Sequence, residues 1–219
     1  MFATDRDLLI LEPNLFRDAG VAGQRLVKGT CDISGTTLTL TAQDVNLAAA
    51  NIGPGHVALV DGTPYEVLAR LSSTTATISR IRPSSADPAQ PPSPVTGKTV
   101  EFWTFAPQIA VAHGLLLRML GIDPEDPPAP NQVTEGSITN PASLSHIEAL
   151  GAIYQAYAAA TLTAPAGPAG WSHPIWSRAQ MFRERFESAR QLAAARIDTD
   201  GDGIPDATRR FNTLILARA

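Results

Sequence analysis

The sequence has few of the residues that most directly reveal a function. Its 219 residues include a single cysteine, Cys31, so it can form neither an internal disulfide nor a multi-cysteine metal site. Its four histidines show no HxH or HExxH spacing, and the chain lacks a GxSxG motif and a Rossmann fingerprint. We therefore expect a protein that is not an enzyme and that requires no cofactor.

The sequence also has no excess of positive charge and no long apolar run. Lys and Arg number 17 against 21 Asp and Glu, a net charge of -4, which argues against a basic face that would bind nucleic acid. Near the N-terminus the apolar run 8–11 is too short for a signal peptide, and no stretch approaches the roughly 20 apolar residues of a membrane span. We expect a soluble protein of a reducing compartment, or of a particle assembled in one.

Short strand-like segments fill the first half of the chain. Leu38 and Leu40 alternate with threonines, as in a strand with one buried face, and Asp61-Gly62 between two apolar runs is a hairpin signal. Five or six such strands predict a small antiparallel β-barrel or sandwich. Five prolines in residues 82–97 predict a long exposed loop within this β-rich domain.

After Phe105 the apolar periodicity becomes helical. Three helices are predicted, within residues 106–122, 143–162 and 173–197, and Leu214-Ile215-Leu216 suggests a closing strand. The predicted class is α+β, a barrel or sandwich insert with a three-helix body and a C-terminal strand or extended tail. The predicted parts are an N-terminal segment 1–23 that packs on the helical body, a β-rich domain 24–105, the helical body 106–197, and an aspartate loop with tail 198–219.

The segment DTDGDGIPDATRR begins like a calcium-binding loop. Counted from Asp198, oxygen ligands would come from Asp198, Asp200, Asp202, the backbone carbonyl of Ile204, and Asp206. Position 12 is Arg209, where that pattern has an acid that binds through both oxygens. Two interpretations remain open: a structural calcium ion that fixes the exit from the third helix, or a glycine-rich helix exit held by Asx turns.

Trp171 stands in a glycine- and proline-rich stretch before the third helix, and aromatic residues are common at interface hot spots. It is therefore a candidate interface residue.

The order of these segments resembles the head–tail connector, or adaptor, proteins of tailed bacteriophages and gene transfer agents. The resemblance is carried by ALGAIYQAYAAAT, by the arginine-rich helix MFRERFESARQL, and by the aspartate loop running into TRRFN, all within residues 144–219. It implies a subunit with no catalytic residues in a homo-oligomeric, usually twelvefold ring below the portal protein. Interface candidates in this region are Arg183, Arg185, Arg209 and Arg210.

The resemblance further implies a location in the neck of the virion, assembled in the bacterial host cytoplasm. Partners would be the portal protein and the tail or stopper proteins, with genome DNA only passing through the lumen and no membrane contact. Two other hypotheses are a calcium-dependent, non-catalytic binding module that uses the β-rich domain for recognition, and a hydrolase built around His113 and Glu101.

Overall fold

The computed structural model describes residues 1–123, 132–163 and 173–211. The fold is mixed α+β, which confirms the predicted class, and of the two β architectures the barrel is the one formed. The helices are α1 Asp5–Leu11, α2 Leu15–Asp18, α3 Ala106–Met119, α4 Pro141–Thr163 and α5 Pro174–Leu192. The strands are β1 Gln24–Ser34, β2 Thr37–Gln43, β3 Val57–Val60, β4 Thr63–Arg70, β5 Thr75–Ser79, β6 Val95–Thr104, β7 Ala194–Ile197 and β8 Ala207–Arg210.

Strands β1 to β6 close into an antiparallel barrel in the order β1-β2-β5-β4-β3-β6. Closure comes from the pairing of β1 with β6, the first and last strands of the barrel in the chain. The alternation seen in the sequence fills the interior: Leu38 and Leu40 are buried there together with Phe102. A closed barrel has no open sheet edge, so every strand is paired on both sides.

The turn between β3 and β4 is formed by Asp61 and Gly62, two residues that tolerate a positive φ. Asp61 has φ 50° and Gly62 has φ 78°, so both central residues adopt the left-handed conformation of a tight hairpin turn. Asp and Gly tolerate this conformation better than other residues. The hairpin predicted at Asp61-Gly62 is present.

Helices α3, α4 and α5 pack into a second core. The apolar stripe of α4 is buried at Leu144, Ile147, Leu150, Ile153 and Tyr157. Gly151 allows the close approach of its neighbours, because a Cβ atom at this position would lie 3.1 Å from Phe186 Cε2 and 3.2 Å from Ala112 Cβ. None of the helices in the described ranges is long and apolar enough to cross a membrane.

The N-terminal segment contacts both the barrel and the helical body. Thr4 and Asp7 form a capping box that starts α1. Asp5 accepts the backbone N–H of Phe105 at 2.7 Å, at the start of α3, while Arg6 reaches Glu66 on β4. The N-terminal segment therefore connects the barrel to the helical body through hydrogen bonds to both.

The third predicted helix ends earlier than the sequence suggested. Helix α5 stops at Leu192, which is 89% exposed, and 194–197 form β7. Strand β7 pairs with β8, and the amide of Asn140 adds two bonds to it: the amide donates to the carbonyl of Ala194 at 3.0 Å and accepts the N–H of Arg196 at 2.8 Å. Helical periodicity could not reveal these distant partners.

Two further segments depart in detail from the sequence expectations. Strand β6 begins at Val95, inside the predicted loop 82–97, and Arg82 at the start of that segment is buried. Strand β8 ends at Arg210, ahead of the closing strand expected at 214–216, which lies outside the described residues.

Candidate functional site

The aspartate-rich segment forms the connection of the β7–β8 hairpin. Asp206 donates its N–H to the carbonyl of Ile197, and Asp198 donates its N–H to the carbonyl of Ser137, both at 2.9 Å. Both ends of the loop are therefore fixed by backbone hydrogen bonds. The sequence placed this loop at the exit of a long helix, but the loop follows a strand because α5 ends before β7.

Three of the four predicted carboxylates come together. One oxygen from each of Asp198, Asp200 and Asp206 lies within 4.8 Å of the others. Asp202, which the structure also describes, is not in this group, and its Oδ1 accepts the N–H of Ile204 at 2.7 Å. Oxygen ligands of this kind are what calcium prefers.

Backbone N–H groups stabilise the negative charge of the loop. Asp198 accepts the N–H of Gly203 at 2.8 Å and that of Gly201 at 2.7 Å, and these bonds hold the pKa of Asp198 below its usual value. Asp206 accepts both the N–H and the hydroxyl of Thr199, at 2.8 Å and 2.7 Å, which lowers the pKa of Asp206 in the same way. The carboxylates are thus favoured in their ionised form.

The donor set fits a calcium ion only in part. Each carboxylate oxygen has two lone pairs, so the three aspartates can keep their hydrogen bonds and still ligate a cation. Calcium takes six to eight oxygens, and the bidentate acid of the EF-hand pattern is replaced by Arg209. Nη1 of Arg209 donates to the carbonyl of Leu120 at 2.7 Å, so this side chain is directed to the end of α3. Water would have to complete the coordination.

The candidate interface arginines on α5 are exposed, and each makes a contact with its own helix. Nε of Arg183 donates to Oε1 of Glu187 at 2.9 Å, one turn further along. The guanidinium carbon of Arg185 lies 5.4 Å from the ring centroid of Phe182. These contacts orient both side chains, which stand on opposite sides of the buried stripe of α5 because residues two apart on a helix point about 200° apart.

The other interface candidates are placed differently. Arg210 is exposed on β8, whereas Arg209 is half-buried through its bond to α3. Trp171 lies outside the described residues.

Sequence reasoning missed a buried charge cluster inside the structure. Glu66 is fully buried, and its two oxygens lie 2.6 Å from Nε of Arg6 and 2.6 Å from Nε of Arg82. The hydrogen bond to Glu66 raises the pKa of Arg82. The three residues are far apart in sequence and share no motif, so only their position on α1, β4 and the segment after β5 brings them together.

A second cluster surrounds His113. Its Nε2 lies 3.1 Å from Glu135 and its Nδ1 lies 3.2 Å from the fully buried Glu148. Burial raises the pKa of Glu135, but the hydrogen bonds from His113 and the N-terminal amine outweigh it, so the pKa of Glu135 lies below its usual value. Glu148 also accepts the N–H of Phe2 at 2.9 Å.

The pair suggested for a hydrolase, His113 and Glu101, have separate partners. Glu101 accepts the indole N–H of Trp103 at 3.1 Å and lies 3.6 Å from the amine of Lys28, both on the barrel. His113 instead joins α3 to α4 through Glu148. Glu101 therefore contacts residues of the barrel, whereas His113 contacts residues of the helical body.

Comparisons of the chain with protein-family models, with curated proteins and with solved structures found no match.

Proposed function

We propose that the chain is a structural head–tail adaptor subunit of a tailed phage or phage-like particle. It would form a homo-oligomeric ring below the portal and dock the tail or the next neck protein. The observation that carries the proposal is the exposed surface of α5, where the arginine-rich sequence that resembles connector proteins presents Arg183 and Arg185 to solvent on the two sides of its buried stripe. Exposed arginines of this kind can supply charge-assisted contacts to neighbouring subunits.

The arrangement of buried ionisable groups is compatible with a structural role. Glu66 binds two arginines, Asp5 binds the N–H that opens α3, and Glu148 binds His113 and the backbone of Phe2. Each of these groups joins segments that are distant in the chain.

The experiment is immunogold electron microscopy of particles from the producing culture, with an antibody against this chain. Label at the junction of head and tail supports the adaptor role. Particles that carry no label there would contradict it.

A charge-reversal variant connects the proposal to α5. Arg183→Glu combined with Arg185→Glu should abolish incorporation into particles while leaving the thermal midpoint within a few degrees of wild type. The matched control is Arg80→Glu, at an exposed position after β5. If both variants were incorporated into particles equally well, the exposed arginines of α5 would not be part of the subunit interface.

A second candidate is a calcium-dependent, non-catalytic binding module, favoured by the convergence of Asp198, Asp200 and Asp206. Isothermal titration with calcium chloride tests it, with magnesium chloride as the competing ion. Asp200→Ala should abolish calcium binding, whereas Asp202→Ala, outside the group of three, should weaken it less. A wild-type chain that produces no binding heat at millimolar calcium would dismiss this candidate.

A further inference from the structure

A small cavity lies where the N-terminal segment meets the barrel and the helical body. Its volume is about 140 Å³, and its walls come from the N-terminal segment, the loop before β3, and the junction of β6 with α3. The lining runs from Met1 and Pro54, which are exposed, to Asp5 and Ile109, which are buried. A ligand that enters from solvent would therefore reach a buried acidic side chain.

Hydrogen bonds and close packing hold the three walls together. The backbone N–H of Arg6 donates to the carbonyl of Gly55 at 2.9 Å, and a Cβ atom at Gly55 would lie only 3.0 Å from Cβ of Thr4. On the opposite wall, Oδ1 of Asp5 accepts the N–H of Phe105 at 2.7 Å. The shape of the cavity is therefore set by the fold.

The lining combines one buried carboxyl group with apolar surface and has no strong cation. Asp5 is 5% exposed and forms no ion pair in the part of the chain that the structure describes. The described lining contains neither Lys nor Arg, and Nδ1 of its imidazole, His56, lies 3.0 Å from the carbonyl of Gly53. Burying a carboxylate without a counterion is unfavourable, and burial raises the pKa of Asp5. A cationic ligand would supply the counterion.

We propose that this cavity binds a primary alkylammonium group of about four carbons. At about 30 Å³ for each water-sized atom, the cavity holds about five non-hydrogen atoms, which suits one nitrogen and a short carbon chain. The ammonium group donates several hydrogen bonds, and the Asp5 carboxylate has lone pairs left after it accepts the N–H of Phe105. Ala106 and Ile109 would contact the carbon chain. A free short amine and a lysine side chain both carry this group, and the inference does not depend on the proposed adaptor role.

Titration of the isotope-labelled chain with n-butylammonium chloride, followed by NMR, tests the site. The amides of Gly55, in the lining, and of Phe105, bonded to Asp5, should show saturable shift changes with a Kd on the order of millimolar. The uncharged 1-butanol has the same size and should bind about tenfold more weakly or worse, because it lacks the charge-assisted bond. Equal affinity for the two compounds, or no saturable change with the amine, would overturn the proposal.

Asp5→Asn tests the role of the charge. It keeps an oxygen for the Phe105 N–H but removes the carboxylate, so it should weaken n-butylammonium binding by about tenfold or more while leaving 1-butanol binding unchanged. The matched control is Asp61→Asn, which removes an exposed carboxylate in the β3–β4 turn and should bind the amine as wild type does. Wild-type affinity in Asp5→Asn, or the same loss in both variants, would contradict the assignment.

A second pair of variants tests the position of the ligand. Ala106 is half-buried in the lining, so Ala106→Leu should fill the cavity and abolish binding of the amine. The control makes the same change at Ala110, which is exposed on α3 and outside the lining, and should leave binding intact. Equal binding by both variants would show that the ligand does not occupy the cavity.

A lysine derivative distinguishes the two sources of the alkylammonium group. Nα-acetyl-lysine methylamide carries the same group on a peptide backbone. If it binds at least as tightly as n-butylammonium, the site accepts a protein lysine; if it binds about tenfold more weakly or worse, the backbone does not fit and the ligand is a free amine. Either result supports the site, whereas shift changes confined to residues away from the cavity with both probes would overturn it.

Discussion

Nε of Arg6 on α1 lies 2.6 Å from Oε2 of Glu66 on β4, inside the structure. The side chain of Glu66 is fully buried, and only 13% of the Arg6 side chain is exposed. Arg6 also donates to the carbonyl of Arg82 at 2.8 Å, while its own backbone N–H donates to the carbonyl of Gly55 at 2.9 Å. This single residue therefore fixes the N-terminal helix to the barrel at three points.

Removing the shared carboxylate should be severe. Glu66→Ala removes the carboxylate that Arg6 and Arg82 share, and breaking a buried pair in this way costs about 3–5 kcal/mol. Urea denaturation followed by circular dichroism measures the change. The control is Lys98→Ala, which breaks the exposed pair with Asp61 and should cost about 0–1 kcal/mol. Similar losses in both variants would contradict a structural role for the buried cluster.

Asp5 should make stability depend on pH in an unusual direction. Burial raises the pKa of Asp5, and the hydrogen bond from Phe105 only partly offsets this. A raised pKa means that the folded state holds the proton more tightly, so this contribution to stability is present at low pH. It is lost as pH rises from the unfolded-state value of about 3.9 through the higher folded-state pKa.

Two substitutions separate the charge of Asp5 from its hydrogen bond. Asp5→Asn keeps an oxygen for the Phe105 N–H and removes the buried charge, so at pH 7 it should be as stable as wild type or more stable. Asp5→Ala leaves that N–H unpaired and should lose about 1–3 kcal/mol. Denaturation curves across pH 3–7 measure both variants. An Asp5→Asn chain much less stable than wild type at pH 7 would contradict the assignment.

A large side chain at position 151 should destabilise the helix crossing. The Cβ position of Gly151 is 3.1 Å from Phe186 Cε2 and 3.2 Å from Ala112 Cβ, so Gly151→Leu should overpack the helix crossing and cost about 1–3 kcal/mol or more. Gly114→Ala on α3 is the control, because the nearest atom there is 3.9 Å away. That change should gain up to about 1 kcal/mol from helix propensity. Thermal denaturation measures the stability of both variants. If Gly151→Leu were as stable as Gly114→Ala, the helices would not be closely packed at Gly151.

The aspartate loop should titrate at low pH without any metal. Backbone donors lower the pKa of Asp198, and Thr199 lowers that of Asp206. Each contributes stability above its unfolded-state pKa of about 3.9, and this is lost as pH falls through the lower folded-state pKa. Carboxyl carbon chemical shifts followed by NMR measure both values in the presence of a chelator.

Thr199→Val tests the cause within the same loop. It removes the hydroxyl donor to Asp206, so the pKa of Asp206 should rise while that of Asp198 stays near its wild-type value. Equal shifts at both aspartates would mean that the substitution disturbs the whole loop.

Local pattern was sufficient for most of the secondary structure. The alternation at Leu38 and Leu40, the Asp61-Gly62 turn and the helical stripe of α4 each reflect interactions within a few residues, and all three are present in the fold. The candidate calcium residues were also close in sequence, so the sequence could suggest them. The sequence could not show that Asp202 would accept the backbone N–H of Ile204 while the carboxylates of the other three aspartates come together.

The tertiary structure decided what depends on distant partners. Strand β8 and Asn140 bind β7, β1 closes the barrel on β6, and Glu66 brings together Arg6 and Arg82. The sequence by itself indicated most of the strands, turns and helices, because those preferences arise from local backbone sterics and apolar periodicity, but it extended α5 over β7 and placed the start of β6 in a loop. Pairings across tens of residues depend on how the whole chain packs, and only the folded structure specifies them.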